Sequence, residues 1–191
     1  MLKRITSLIL VIMLMATLAL SMSACRKKVS EEEAIALVTD LVSRSYDLNV
    51  VYYGEGLRYD DSGNPNDMYM PVSNLEKYTL RSKLLEDTRA VFTSSYAQSL
   101  IDMAFYGVAS EINQNAIQSR YMVQGDDEWL YINKNYEPVV DEVSVFDYST
   151  IEITKISKRF IEANITNTKG KVVEVVLVNE NGTWKLDSTT C

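Results

Sequence analysis

The hydrophobic residues at the start of the chain form one continuous run, whereas those further along recur at helix or strand spacing. Lys3 and Arg4 come first, and residues 8–20 are then apolar apart from a single threonine. Small side chains follow, directly before Cys25. A short basic segment, an apolar segment of this length and small residues at its end are typical of a secretory signal peptide. We therefore predict that residues 1–24 are a signal peptide.

Helical spacing dominates the next part of the chain. Ser30 and Glu33 have the spacing of a capping box, in which each side chain bonds the backbone N–H of the other residue. Apolar residues at helical spacing follow and predict a helix to about Tyr46, whereas residues 48–53 are β-branched and aromatic and predict a strand. Two further amphipathic stretches predict helices over residues 80–91 and 94–106.

Beyond about residue 119 the pattern changes to strands. Residues 120–123 and 129–132 flank a Gly-Asp-Asp turn, which is the pattern of a β-hairpin. Residues 139–145 fit another strand, and alternating apolar segments separated by turn residues predict strands around 151–156, 161–165, 172–178 and 184–186.

Helices followed by consecutive antiparallel strands predict an α+β fold. We expect a single domain over residues 31–191, with the N-terminal helices packed on one face of a curved antiparallel sheet. Residues 25–30 form a short tether between this domain and the predicted signal peptide.

Composition limits the chemistry that this domain can perform. Histidine is absent from the sequence, which removes the commonest general base and metal ligand. Nucleophile pairs built on histidine and imidazole zinc sites are therefore excluded. The only cysteines are Cys25 and Cys191, so there is no disulfide framework. We predict a non-catalytic protein that holds no metal and no cofactor.

The charge of the chain argues against a nucleic-acid partner. The formal net charge is −7, and it becomes −9 without residues 1–24, which carry Lys3 and Arg4 and no acidic residue. Nucleic-acid binding depends on neutralising phosphates with a basic surface. An acidic domain instead suits solubility or a partner with a basic surface.

Cys25 and the small residues before it resemble the lipobox of bacterial lipoproteins. The resemblance implies cleavage before Cys25 and diacylglycerol on its thiol, so that the protein is anchored extracytoplasmically, at the outer face of the bacterial cell membrane. Three basic residues, Arg26 to Lys28, would add attraction to anionic lipid. The alternative is an uncleaved anchor, because residues 5–24 are long enough to span a bilayer.

The C-terminal segment Glu180-Asn181-Gly182-Thr183-Trp184-Lys185-Leu186-Asp187-Ser188 resembles the last hairpin of cone-shaped nuclear transport factor 2-like (cystatin-like) domains. Most of residues 31–188 also resembles the bacterial DL-endopeptidase inhibitors of the IseA type. The second resemblance implies a domain that blocks cysteine peptidases which cut peptidoglycan. The segments that carry it are Tyr69-Met70-Pro71-Val72, residues 91–97, Arg120-Tyr121 before a hairpin with Gly125, Leu130 and Tyr131, and residues 149–156.

Two polar turns contain the candidate partner-binding residues. The loop over residues 54–67 is long and polar, and exposed loops on a rigid scaffold often carry binding. Its alternating Asp60, Ser62, Asn64 and Asn66 resemble a calcium loop, but Pro65 stands where such a loop needs glycine and no glutamate follows at the twelfth position. The second turn is the acidic hairpin tip. The candidates are Tyr59, Asp60, Asp61, Asn64, Asp67, Tyr69, Asp126 and Asp127.

A second hypothesis assigns the domain to small-ligand binding or sensing. It uses the hollow that a cone-shaped fold leaves between its sheet and its helices. A deep pocket with a few convergent polar groups would favour this function over protein binding.

Overall fold

The computed structural model describes residues 29–61, 64, 66–109 and 117–191. The predicted signal peptide, Cys25 and most of the tether lie outside these residues. The described part is α+β, as predicted, and contains three helices. They are α1 (Glu31–Tyr52), α2 (Arg81–Val91) and α3 (Ser94–Tyr106).

Helix α1 begins at the predicted capping box. The Glu33 N–H donates to Ser30 Oγ at 3.2 Å, and the Ser30 N–H donates to the Glu33 carboxylate at 2.9 Å. The helix continues to Tyr52, so the prediction of a strand over residues 48–53 was wrong. Leu48 and Tyr52 are buried and continue the apolar spacing of the preceding turns. This amphipathic stripe outweighs the local β propensity of the valines beside it.

The strands form two larger antiparallel sheets and a short ribbon. The strands are β1 (Tyr69–Pro71), β2 (Val108–Ala109), β3 (Ile117–Gln118), β4 (Tyr121–Gln124), β5 (Trp129–Asn133), β6 (Phe146–Ile156), β7 (Phe160–Asn167), β8 (Val172–Glu180) and β9 (Thr183–Leu186). β6, β7, β8 and β9 make a four-stranded meander in chain order, the three-stranded sheet has the order β1-β5-β4, and β2 pairs with β3.

The two predicted hairpins are confirmed. β4 and β5 pair from Gln124 opposite Trp129 to Tyr121 opposite Ile132. β8 and β9 are joined through Asn181 and Gly182, whose φ angles are 55° and 96°. Positive φ at both central residues is the geometry that favours Asn-Gly in tight hairpins.

The core lies between the helices and both larger sheets. β7 alternates between buried and half-buried residues along its whole length, which is the pattern of a strand with one face on the core. One cluster of buried apolar residues includes members of all three helices and of both sheets. Examples are Val38, Leu84, Leu100, Tyr121, Ile132, Ile165 and Leu177.

Arg120 and Tyr121 connect the three-stranded sheet to the C-terminus of α1. The Arg120 guanidinium donates from Nη1 to Tyr52 O at 3.0 Å and from Nη2 to Gly54 O. The Tyr121 hydroxyl donates to Val51 O at 3.0 Å. The last carbonyls of a helix have no partner within the helix, so buried ones need such donors. Arg120 is only 1% exposed and forms no ion pair with any described residue.

The residues before β6 complete the same helix end. The N–H groups of Val139 and Val140 donate to Tyr53 O at 2.8 and 3.1 Å. Residues 139–145 are irregular, so the strand predicted there was wrong. The N–H groups of Val139 and Val140 bond a helix terminus rather than a neighbouring strand.

We expect Arg120→Met to lower the free energy of unfolding by about 2–6 kcal/mol, because two buried carbonyls lose their donors and each loss costs about 1–3 kcal/mol. Chemical denaturation monitored by circular dichroism measures the change. Arg159 is exposed, so Arg159→Met is the matched control and should stay within about 0.5 kcal/mol. Equal effects of the two changes would show that the helix end does not depend on this guanidinium.

Candidate partner-binding surface

The segment that follows α1 forms an additional edge of the three-stranded sheet. Tyr59 pairs antiparallel with Val72, just beyond β1. The Asp60 N–H donates to Pro71 O at 2.9 Å, and the Ser73 N–H donates to Arg58 O at 2.9 Å. Residues 58–60 therefore lie beside β1 as a short edge strand.

Tyr59 presents its backbone to the open side of this edge. The hydrogen bonds to β1 flank the Tyr59–Val72 pair, and in such a pair the N–H and C=O point away from the neighbouring strand. Neither group bonds any described residue. The side chain is 38% exposed. An open edge with an exposed aromatic residue is suited to pairing with another chain.

The predicted loop continues from this edge as an exposed polar turn. Asp61, Asn64 and Asp67 are all exposed. Asn64 organises the turn, because its Oδ1 accepts the Asn66 N–H at 3.0 Å and its carbonyl accepts the Asp67 N–H at 3.0 Å. Residues 62, 63 and 65 lie outside the described residues. The acidic side chains of this turn, Asp61 and Asp67, therefore follow Tyr59 in the chain and are exposed.

Gly56 allows the base of the loop to approach Arg120 and Tyr121. Its φ is +84°, and a Cβ at this position would lie 2.7 Å from Arg120 Nη2 and 3.0 Å from the Tyr121 hydroxyl. The Tyr121 hydroxyl also accepts the Leu57 N–H at 3.2 Å. Burial raises the pKa of Tyr121 to about 12 in spite of the opposing Arg120 charge, so this hydroxyl stays protonated at physiological pH. The loop base is thus joined to β4 by buried polar contacts.

A cleft of about 380 Å³ lies between the loop base and the end of β5. It contains two of the predicted residues, Tyr59 and Asp61, together with side chains of both charges. Among the charged lining residues, Arg58 forms an ion pair with Glu76, with 2.5 Å between Arg58 Nε and Glu76 Oε1. The lining residues are Glu55, Gly56, Leu57, Arg58, Tyr59, Asp61, Ile132, Asn133, Lys134 and Tyr136.

The structure places Tyr69 and the acidic hairpin tip at opposite ends of β5. Tyr69 lies opposite Asn133 at one end of β5, whereas Asp126 and Asp127 lie beyond Trp129 at its other end. Four residues of strand place these ends about 13 Å apart. The acidic tip is also held against α2, since Arg81 bonds Glu128 at 2.8 Å. Tyr69 and the tip are therefore separated along β5, whereas Tyr59, opposite Val72, lies at the level of Leu130.

Tyr69 has an internal role in the described structure. Its hydroxyl donates to Ser119 O at 2.9 Å and lies 2.8 Å from Ser119 Oγ. These bonds join β1 to the segment before β4. Among the predicted aromatic residues, Tyr59 is thus the one that faces the open edge.

The residues that support the loop could not be identified from local pattern. Arg120 precedes a strand and has the appearance of an ordinary polar residue there, and Tyr136 lies in an irregular segment. Gly56 carried a signal, because a glycine after an apolar helix commonly marks its end. The guanidinium of Arg120 lies 5.1 Å from the centre of the Tyr136 ring, a contact between residues 16 positions apart.

No known protein family matches the sequence, and no curated protein matches it either. Within the described ranges, none of the helices is both long and apolar enough to cross a bilayer.

We expect Gly56→Ala to destabilise the fold more than Gly170→Ala. Both glycines have φ near +80°, so each alanine carries a left-handed strain of about 1–2 kcal/mol. Only at Gly56 would the new methyl group also meet Arg120 and Tyr121, whereas nothing lies within 4 Å at Gly170. Denaturant midpoints of the two variants measure the difference. Equal losses would show that backbone conformation alone requires glycine at position 56.

Proposed function

We propose that this chain is a lipid-anchored, non-catalytic protein of the bacterial cell envelope that binds a protein partner. The partner would pair with the edge formed by residues 58–60 and contact the adjoining loop to Asp67. In keeping with the resemblance to the IseA type, the proposed partner class is the peptidoglycan DL-endopeptidases, which the domain would inhibit or regulate.

The observation that carries the proposal is the open backbone edge at Tyr59. Addition of a strand to such an edge provides affinity through main-chain hydrogen bonds, and nearby side chains provide specificity. Tyrosine adds rigid contact area with a polar end, and it is enriched at protein interfaces. Because Arg120 and Tyr121 hold the base of the loop, little conformational entropy would be lost when a partner binds.

The finer fold assignment is part of this proposal. The meander of β6–β9 with helices packed against it supports a cone-like domain of the cystatin or nuclear transport factor 2-like type. The Asn181-Gly182 turn at its last hairpin has the geometry expected from the resemblance.

The anchor would hold this domain close to the membrane. Five residues separate Cys25 from the start of α1 at Glu31, and the six steps along an extended chain between them span at most about 20 Å. The proposed partner surface lies near the other end of α1, whose 22 residues extend for about 33 Å, so it would lie up to about that distance from the anchored end of the helix.

We expect Cys25→Ser to abolish labelling with palmitate and to move the protein from the membrane fraction to the soluble fraction or leave it unprocessed. Cys191→Ser is the matched control and should be labelled like the unchanged protein. The reason is that a thiol at position 25 alone would carry the lipid. Labelling that persists in Cys25→Ser would contradict the anchor.

Inhibition of a purified DL-endopeptidase by residues 26–191 tests the partner. We expect the unchanged domain to slow cleavage of a peptidoglycan peptide, and Tyr59→Ala to raise the inhibition constant by about tenfold or more, as for a central aromatic contact. Tyr106 is 63% exposed at the end of α3, so Tyr106→Ala is the matched control and should inhibit normally.

Charge reversal distinguishes the loop from the hairpin tip. Asp61→Lys should weaken inhibition, whereas Asp126→Lys at the opposite end of β5 should not. The reverse result would place the interface at the tip. Absence of inhibition by the unchanged domain at a large molar excess would reject this partner class.

A further inference from the structure

A second cavity, separate from the proposed partner surface, lies between α1 and the start of β6. Its volume is about 240 Å³, which is below the range of roughly 300–1,000 Å³ typical of pockets for drug-sized ligands. One small ring would therefore fill it. It is lined by Val42, Ser43, Ser45, Tyr46, Asn49, Ser144, Val145, Phe146, Tyr148 and Thr190.

A chain of hydrogen bonds between buried side chains forms the floor of this cavity. The Ser45 hydroxyl donates to Val42 O at 2.8 Å, so it accepts at 2.8 Å from the Thr190 hydroxyl. Thr190 in turn accepts from Asn49 Nδ2 at 2.7 Å. Ser45 and Thr190 are completely buried, and Asn49 is 2% exposed. The order of donors is thus determined along the whole chain, from Asn49 to the backbone of α1.

Asn49 retains hydrogen-bonding capacity at the cavity. An asparagine side chain offers two N–H donors and a carbonyl acceptor. Its only side-chain bond to a described residue is the one from Nδ2 to Thr190. The carbonyl and the second N–H therefore remain for water or a bound molecule in the cavity, since no Asn49 atom is among the described side-chain atoms that are buried without a partner.

The cavity is electrically neutral in an acidic protein. None of its ten lining residues carries a charge. Four other clefts of comparable size in the described part of the chain each contain at least two charged side chains. Because no lining group pairs with an ion, transfer of a charged ligand from water would be costly here. The lining selects for an uncharged molecule.

The walls and the mouth combine apolar surface with hydroxyl groups. Val42 and Phe146 are buried, whereas Tyr46 and Tyr148 are 41% and 37% exposed at the mouth. Serine and threonine hydroxyls can each donate and accept. A phenol would use one of these polar groups, whereas a sugar ring has several hydroxyls together with an apolar C–H face that can lie on a tyrosine ring.

We propose that this cavity is a binding site for a single neutral sugar ring. The ring would lie between Tyr46 and Tyr148, and one of its polar substituents would bond the free amide groups of Asn49. This site does not depend on the proposed protein partner, because its ten lining residues are all distinct from residues 58–67.

Titration of the ¹⁵N-labelled domain, residues 26–191, with N-acetylglucosamine tests the site by NMR. We expect saturable shifts at the amides of residues 43–49 and 144–148, with a dissociation constant on the order of 1 mM, as is common for one weakly held ring. Glucosamine, used below the pKa of its amine, should bind more weakly although the protein is acidic.

Val145→Trp and Val172→Trp form a matched pair of variants. Val145 is 47% exposed and lines the mouth, whereas Val172 is 58% exposed at the start of β8 and lies outside the cavity. Val145→Trp should abolish the shifts and Val172→Trp should keep them. The same spectra show that each variant is folded.

Three results would overturn the proposal. One is the absence of saturable shifts in the unchanged domain, which would mean that the cavity holds water alone. Another is equal binding by both tryptophan variants. The third is tighter binding of phenol than of N-acetylglucosamine, which would assign the cavity to an aromatic ring instead.

Discussion

The C-terminus of α1 is the point on which the rest of this structure depends. Four successive carbonyls, from Val51 to Gly54, receive hydrogen bonds from residues more than 65 positions away in the chain. These donors come from two separate places, the start of β4 and the segment before β6. A buried helix end without such donors would cost several kcal/mol. The same bonds that satisfy α1 therefore also fix the position of both sheets relative to it.

This arrangement explains why the buried Arg120 has no acidic partner among the described residues. A buried charge is normally paired with an opposite charge. Here the partial negative charge of the helix C-terminus takes that role, with carbonyl oxygens as acceptors. The Tyr136 ring covers the guanidinium at 5.1 Å, and Gly56 leaves the space it needs. One side chain thus completes the helix and supports the loop that leaves it.

Local signals predicted the elements with strong internal pattern, and long-range contacts decided the others. The capping box at Ser30, the third helix and the Asn181-Gly182 turn each depend on neighbouring residues, and all three were predicted. The prediction of a strand over residues 48–53 gave the β propensity of the valines more weight than the helical spacing of the buried residues. Residues 139–145 contain four valines, yet the N–H groups of Val139 and Val140 bond Tyr53 at the end of α1. Such partners become visible only when the chain is folded.

The same distinction applies to the two candidate sites. The polar loop was identified from its composition, but the free N–H and C=O of Tyr59 follow from its register against Val72, which composition does not encode. The cavity beside Asn49 could not be predicted from local pattern, because its floor combines α1 with Thr190, which lies 141 residues after Asn49.

Asn49 connects the end of α1 that supports the loop with the neutral cavity. Its backbone carbonyl accepts the N–H groups of Tyr53 and Gly54 at 2.8 and 3.0 Å, at the helix end that supports the loop. Its side chain lies in the neutral cavity. Because a rigid helix joins the two, a ligand could alter the loop only if it bound two arrangements of this helix end with different affinity. The bonds from Arg120 and Tyr121 to the last carbonyls of α1 strongly favour one arrangement. The two surfaces are therefore expected to bind their ligands independently, although Asn49 also bonds the helix end that supports the loop.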